Sequence, residues 1–239
     1  MQLKMDPLMI AAASGMKARM ESLDMLANNV ANTGTVGFKA DREFYNLYQQ
    51  QLPLIENRWT DFSQGLLVQT GNPLDLALGG PGFFALNGPS GPVYTRNGQF
   101  QISKTNQLVS ADGYPLRNML DQGKPITVDP TQDTAIGKDG MVLQGGQTLG
   151  RLEIDQIPSA MDATAKLGSS YFSLNIATAA KPIQDTEVLQ GRLEQSNVSV
   201  SDSSVRLLSV MRQFEMLQRA LNIGTQMNKE VIQEVARPS

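Results

Sequence analysis

Neither cysteine nor histidine occurs anywhere in the 239 residues. Without cysteine there is no disulfide, no thiolate metal site and no thiol nucleophile, and the usual redox test of compartment is silent. Without histidine the chain lacks the side chain most used for proton transfer near neutral pH, which is also the commonest metal ligand. Carboxylates, Lys, Tyr and Ser/Thr remain for chemistry, so enzymatic readings lose weight and no cofactor is expected. An excess of positive charge is missing too. Lys and Arg total 20 against 23 for Asp and Glu, a net charge of -3, without the long-range pull that nucleic acid or an anionic membrane requires. Residues 1–13 carry one Lys, an Asp-Pro pair and no long apolar run. They resemble neither a cleavable signal peptide nor a membrane span, so no direct membrane insertion is expected, and the chain stays inside or leaves by a signal-independent route.

What is present is periodic at both ends. Asp6 is placed to cap a helix beginning at Pro7, because its side chain accepts free amide hydrogens and Pro lacks one. Met9, Ala12, Met16, Arg19, Leu23, Leu26 and Val30 recur in steps of three and four, which turns one stripe towards a partner helix, with Arg19 the single breach. Gly34 suits the left-handed closure of a helix, so the spacing predicts a helix over 6–33. Near the other end Ser201 or Asp202 caps a second helix. Its Leu207, Val210, Phe214, Leu217, Leu221, Gly224, Asn228, Val231 and Val235 alternate in the same way. Asn228 in that stripe is suited to fixing register and Gly224 to close backbone approach, and Pro238 ends the helix.

Between the helices, short alternating segments are cut by Gly, Pro, Asn and Asp, the texture of β structure. In VYTRNGQFQI (93–102) a two-residue Asn97-Gly98 turn is expected to set Val93 opposite Ile102 and Thr95 opposite Phe100. Asp112-Gly113 and Asp139-Gly140 offer further turns, the second with Ile136 opposite Leu143. A short strand is expected at 171–174. The glycines at 79, 80 and 82 make no phosphate loop, since no Lys-Ser/Thr follows and no helix opens there. Asp75, Asp112, Asp121 and Asp129 sit beside turn residues, where Asp serves its own hydrogen bonding. The Asn197-Val198-Ser199 glycosylation triplet is expected to be unmodified. Several of the twelve methionines fall on the helices, where thioether chains fill cores and re-pack easily.

The words at particular positions carry more. ANNVANTGTVGFK (27–39) resembles the N-terminal signature of the flagellar rod, hook and hook-filament axial proteins. GLLVQTGNPLDLALGGPGFFAL (65–86) and YTRNGQFQISKTNQLVSADGYPL (94–116) are similar to the central β domain of that family. QGRLEQSNVSVSD (190–202) is similar to its entry into the C-terminal helix, continued by RQFEMLQRALNIGTQM (212–227). The four blocks stand in family order across most of the chain, and residues 1–4 read as an extension ahead of the family's usual opening. The resemblance implies export through the flagellar type III apparatus without cleavage, then addition to a growing helical tube. It also implies a place in the basal-body rod, which crosses the periplasm in a two-membrane cell. The length favours a proximal rod subunit over the longer distal rod and hook members.

The expectation is therefore an α+β chain whose N- and C-terminal helices pair as a coiled-coil stem carrying a central antiparallel β-rich domain. Residues 1–34 and 202–239 would form the helical assembly domain, 35–70 and 185–201 extended connections, and 71–184 the outer β domain. Partners expected are further copies in a helical tube, other rod proteins and the type III export apparatus. The expected interface takes Met9, Ala12, Met16, Leu23, Leu26 and Val30 from the first helix and Leu207, Val210, Phe214, Leu217, Leu221, Gly224, Asn228 and Val231 from the second. Asn28, Asn29 and Asn32 suit helix capping, and the resemblance favours them as subunit contacts; Phe38, at the Gly37-Phe38-Lys39 turn, is either an aromatic anchor set in a groove or filling for the junction between stem and β domain. Two other readings compete: a coiled-coil adaptor that never polymerises, and a carboxylate-dependent cell-wall glycan hydrolase.

Overall fold

A computed structural model describes residues 7–45, 55–158, 164–168, 170–174, 180–183 and 186–235. Two helices, α1 (Pro7–Ala31) and α2 (Val200–Val235), enclose the strands in sequence. In chain order these are β1 (Asp41–Tyr45), β2 (Ile55–Thr60), β3 (Leu67–Gln69), β4 (Leu76–Gly79), β5 (Phe83–Gly88), β6 (Gly91–Thr95), β7 (Phe100–Ile102), β8 (Leu108–Ser110) and β9 (Thr134–Ile136). They continue as β10 (Met141–Gln144), β11 (Gln147–Arg151), β12 (Ile154–Gln156), β13 (Thr164–Leu167), β14 (Tyr171–Leu174), β15 (Lys181–Pro182), β16 (Glu187–Gln190) and β17 (Arg192–Glu194). The chain forms two compact units: residues 1–31, 41–58 and 199–239, and residues 32–40 and 59–198.

In the first unit α2 opens at Val200, with the Ser199 hydroxyl accepting the Asp202 amide at 3.3 Å, so the cap is Ser199 and not Ser201 or Asp202. Asp6 and Pro238 lie outside the described residues. Gly34 is not left-handed; that conformation falls to Gly37, at φ 68°. The expected coiled-coil stem is corrected. The apolar cluster shared by the helices is short, made of Met25, Leu26 and Val210 with Leu23 and Leu207 beside them. Beyond it Phe214, Leu217, Leu221 and Gly224 are only half-buried. The buried face of α1 runs through Gly15, Ala18, Ser22, Met25, Leu26 and Asn29, mostly one residue from the predicted stripe. The reason is a second neighbour. Ser22 donates to Glu43 at 2.6 Å and Asn29 pairs with the Asp41 backbone, so β1 takes part of the face that a coiled coil would reserve for the other helix.

The described residues of the second unit are mostly β, with one 3-10 turn at Met119–Asp121. Its largest sheet has the order β13-β14-β6-β5-β12-β15, all pairs antiparallel. Strand β5 is continuously apolar at Phe83, Phe84, Ala85 and Leu86 because both faces of this sheet are covered. Phe84, Leu86, Val93, Ile154 and Tyr171 join the main core with residues from β4, β8, β9 and β10. Phe83, Ala85, Tyr94, Ile157 and Phe172 form a second core on the opposite face. Phe62 closes that one, its ring edge-on to Phe83 at 4.9 Å and to Phe172 at 5.3 Å.

The Asn97-Gly98 hairpin does not form. Strand β6 pairs with β5 and β14, and β7 pairs with β8. A two-residue turn of that type needs positive φ at both central residues, and neither Asn97 nor Gly98 has it. The dipeptide instead crosses from one ladder to the next. Gly98 lies against Leu76, whose amide donates to the Gly98 carbonyl at 2.9 Å. The Asp112-Gly113 and Asp139-Gly140 turns are present, with Gly113 at φ 84° and Gly140 at φ 79°. Around the second, Ile136 faces Val142 and not Leu143, a register that puts two buried side chains together in the core.

Candidate functional site

Two places gather the residues singled out by sequence. On the helices, Leu26 and Val210 are buried with Met25, and Leu23 and Leu207 pack beside them. Ala12, Met16, Val30, Asn32, Phe214, Leu217, Leu221 and Gly224 are half-buried and Asn28 is exposed. The side chains of Met9, Asn228 and Val231 lie outside the described residues. Asn29 is 4% exposed. Its Nδ2 donates to the Asp41 carbonyl at 2.8 Å and its Oδ1 accepts the Asp41 amide at 3.0 Å, so the side-chain amide imitates a paired strand. A different side of α2 stands open: Val205, Leu208, Met216, Ile223 and Met227 are between 56% and 68% exposed. At about 100° per residue they fall together, turned away from Val210.

The second place lies in the β unit, where three of the sequence words converge. Glu194 is fully buried. Its Oε1 meets Lys39 Nζ at 2.6 Å and accepts the Gly65 amide at 2.8 Å, and its Oε2 meets Arg96 Nη1 at 2.9 Å. Lys39, also fully buried, donates further to the Ser63 carbonyl at 2.6 Å, and Arg96 Nη2 donates to the Gly80 carbonyl at 2.6 Å. Backbone bonds lie alongside: Gly37 N donates to Glu194 O at 2.7 Å, and Asn197 N to Phe38 O at 3.4 Å. Asn197 then ties three segments, accepting the Ala40 amide at 2.8 Å and donating to Asp61 O at 2.7 Å and Ser63 O at 3.1 Å. Glycine is required where backbones meet. A Cβ on Gly37 would collide with the Arg96–Asn97 peptide, and one on Gly65 with the Gln195 carbonyl.

Phe38 has no exposed surface. Lys166 stands over its ring, Nζ 4.1 Å from the centroid, and donates to the Lys39 carbonyl at 2.9 Å. Phe38, expected as an anchor in a groove or as junction filling, is thus enclosed within its own chain.

Burial sets the electrostatics of this clasp. Desolvation lowers the pKa of Lys39, and the Glu194 carboxylate opposes it; the same two effects act on Arg96. Two cations share one carboxylate, and the Ser63 and Gly80 carbonyls take up protons that it cannot reach. Ion pairs this dry are worth little net stability against apolar substitutes, but removing one partner leaves an uncompensated buried charge. A second buried acid stands in the core closed by Phe62. Asp155 is 3% exposed, and its Oδ1 has no partner among the described residues. Burial first, then the Glu153 carboxylate, raises its pKa from 3.8 to about 6, against the pull of Arg117. Arg117 itself is engaged by Glu153 at 3.1 Å and by Asn87 at 3.0 Å. Tyr94, raised to about 12 by burial and then by Asp155, faces it from β6.

No spacing or periodicity in the sequence pairs Lys39, Arg96 and Glu194. The ion partners lie 155 and 98 residues apart. The available signal was three charged side chains in glycine-rich or apolar words, GFK, YTRNG and GRLEQ.

Comparison with known proteins agrees with these words. Residues 9–39 match the family described as flagella basal body rod protein. Residues 77–144 match the flagellar hook protein FlgE/F/G D1 domain, and residues 189–234 the flagellar basal body rod FlgEFG protein C-terminal. The chain is 28% identical to the flagellar basal-body rod protein FlgF of Caulobacter vibrioides, over 98% of this chain and 99% of that one. It is 32% identical to FlgF of Mesorhizobium japonicum, over 85% of this chain and 87% of the relative. To the rod protein FlgG of Bacillus subtilis it is 31% identical, over 92% and 95%.

Proposed function

Because the chain belongs to the family of flagellar basal-body rod proteins, we propose that it adds along a helical path to the rod and carries torque there without catalysing a reaction. As a member of that family it is a structural subunit of the basal-body rod, a part that assembles with other rod components. Finer partners are part of the proposal: further copies of this chain as neighbours, and the flagellar type III apparatus as the route of delivery. Absence of histidine and cysteine from the sequence supports the non-catalytic reading, as does the purely structural use made of each buried charge in the clasp.

The observation that carries the proposal is the open side of α2. Val205, Leu208, Met216, Ile223 and Met227 are left to water in the single chain. Burying an apolar side chain of this size contributes about 1.5 to 3 kcal/mol, so a neighbour covering several of them gains enough to hold a subunit in place. The half-buried Phe214, Leu217 and Leu221 lie on the opposite side of the helix, in line with Val210. Contacts of this kind between unlike patches do not close into a pair, and they propagate as a helix when the rotation between neighbours does not close a ring.

The test is to place Asp at Met216 and Ile223 and to measure swimming together with rod incorporation. Loss of incorporation from a variant that still folds its β unit is expected. A rod built normally by the double variant removes the open side of α2 from the interface.

A further inference from the structure

The backbone passes the boundary of the β unit at four places, 31/32, 40/41, 58/59 and 198/199. Every one is flanked by the clasp. Gly37 to Ala40 lie between the first two crossings, Asp61, Ser63 and Gly65 follow the third, and Glu194 and Asn197 precede the fourth. We propose that the Lys39–Glu194–Arg96 clasp is a mechanical latch, which carries tension from residue 40 to residue 198 directly and keeps it out of the strands from β4 to β16.

The bonds needed for this are those already measured. Tension entering at Ala40 meets the Asn197 side chain at 2.8 Å, and next to it the Lys39–Glu194 pair at 2.6 Å and the Gly37–Glu194 backbone bond at 2.7 Å. These lie in parallel, so that separating the two segments strains them together. The ladder of β17 on β3, with Glu194 opposite Leu67, supports the exit side. Arg96 fixes the latch to the sheet through Gly80. Enclosure matters because water cannot step in to replace a strained bond, and because an ionic bond is stronger in a medium of low dielectric. By contrast the surface pairs Lys124–Asp121 and Lys138–Glu187 are open to solvent and tie no crossing.

This inference concerns the single chain and stands whether or not the assembly surface on α2 is correct. The absence of cysteine lets thiol handles be placed at will. Gly34→Cys and Ser201→Cys put both handles at exposed sites outside the latch, and a Cβ on Gly34 meets nothing within 4 Å. Lys104→Cys and Asp133→Cys, also exposed, load the β unit without crossing the latch. In an optical trap, Glu194→Gln leaves two buried cations unpaired and is expected to raise the opening rate about a hundredfold when the full chain is pulled from 34 and 201. The 104/133 pull should be unchanged. Lys39→Met retains the neutral Arg96–Glu194 pair; it should fold and also open sooner in the 34/201 geometry alone, and it carries the test if Glu194→Gln does not fold. An equal change in both geometries, or none from 34 and 201, overturns the latch.

Discussion

Asp155 offers the sharpest quantitative check on how burial governs charge in the β unit. Its carboxyl is held at about 6 in the folded chain against an ordinary 3.8, so the folded state binds the proton more tightly than the unfolded one. A group of this kind weakens the fold at neutral pH, and stability is recovered as pH falls through about 6. Multiplying the gap between 3.8 and about 6 by about 1.36 kcal/mol per pH unit gives about 3 kcal/mol in all. Most of that range lies at or below the folded value, so lowering pH from 7.5 to 5 should recover about 1.4 kcal/mol from this residue. The perturbation is Asp155→Asn, which retains the shape and removes the titration. Urea unfolding at both pH values, followed by fluorescence of the single tryptophan, Trp59, in the same unit, reports the change. Other carboxylates titrate in both proteins, so the quantity to compare is the difference between the two pH responses. The wild-type chain should gain about 1.4 kcal/mol more than Asp155→Asn on acidification. Identical pH responses would refute the claim that this carboxyl is buried with its Oδ1 unpartnered among the described residues.

Two further substitutions test the local geometry. Gly98→Ala places a Cβ into the Leu76 carbonyl, within a buried crossing that cannot shift independently. It should lower β-unit stability by about 2–3 kcal/mol in the same urea assay, whereas Gly34→Ala, with open space around it, should be nearly silent. Asn29→Ala removes both bonds to the Asp41 backbone in a buried setting. It should cost about 1–3 kcal/mol, seen as faster hydrogen exchange at the Asp41 amide with the β-unit amides unchanged.

Two cations around one carboxylate is an expensive arrangement to hold away from water, and stability alone does not explain it, since apolar residues of similar volume often do as well. Directionality separates the alternatives. An apolar plug would fill the space where residues 37–40, 63–65 and 194–197 meet, but it would accept several registers. The fork of Arg96, the single Nζ of Lys39 and the paired oxygens of Glu194 fit only when the three segments are aligned. The glycines at 37 and 65 impose the same alignment by excluding any side chain.

Family and rod function were legible in the sequence, because they reside in words such as ANNVANTGTVGFK and QGRLEQSNVSVSD whose order along the chain is itself the evidence. Helix positions were legible for a local reason: three-four spacing acts within a few residues, so α1 and α2 appear close to where the periodicity puts them, although the α2 cap falls on Ser199. The strand at Tyr171–Leu174 and the turns at Gly113 and Gly140 follow equally local rules. Pairing was not legible. Asn97-Gly98 carries the strongest short-range hairpin signal in the chain, yet β6 finds β5 and β14 because burying both faces of that sheet outweighs the preference of one dipeptide. The buried face of α1 lies about one residue from its three-four stripe, since β1, folded back against Ser22 and Asn29, competes with α2 for the helix surface. Lys39, Arg96 and Glu194 stand out in sequence only as charges within glycine-rich or apolar words, and their pairing is not legible because ion pairs have no period. Only the closing of the β unit, which brings residue 39 to residue 194 and shuts out water, turns three scattered charges into a clasp.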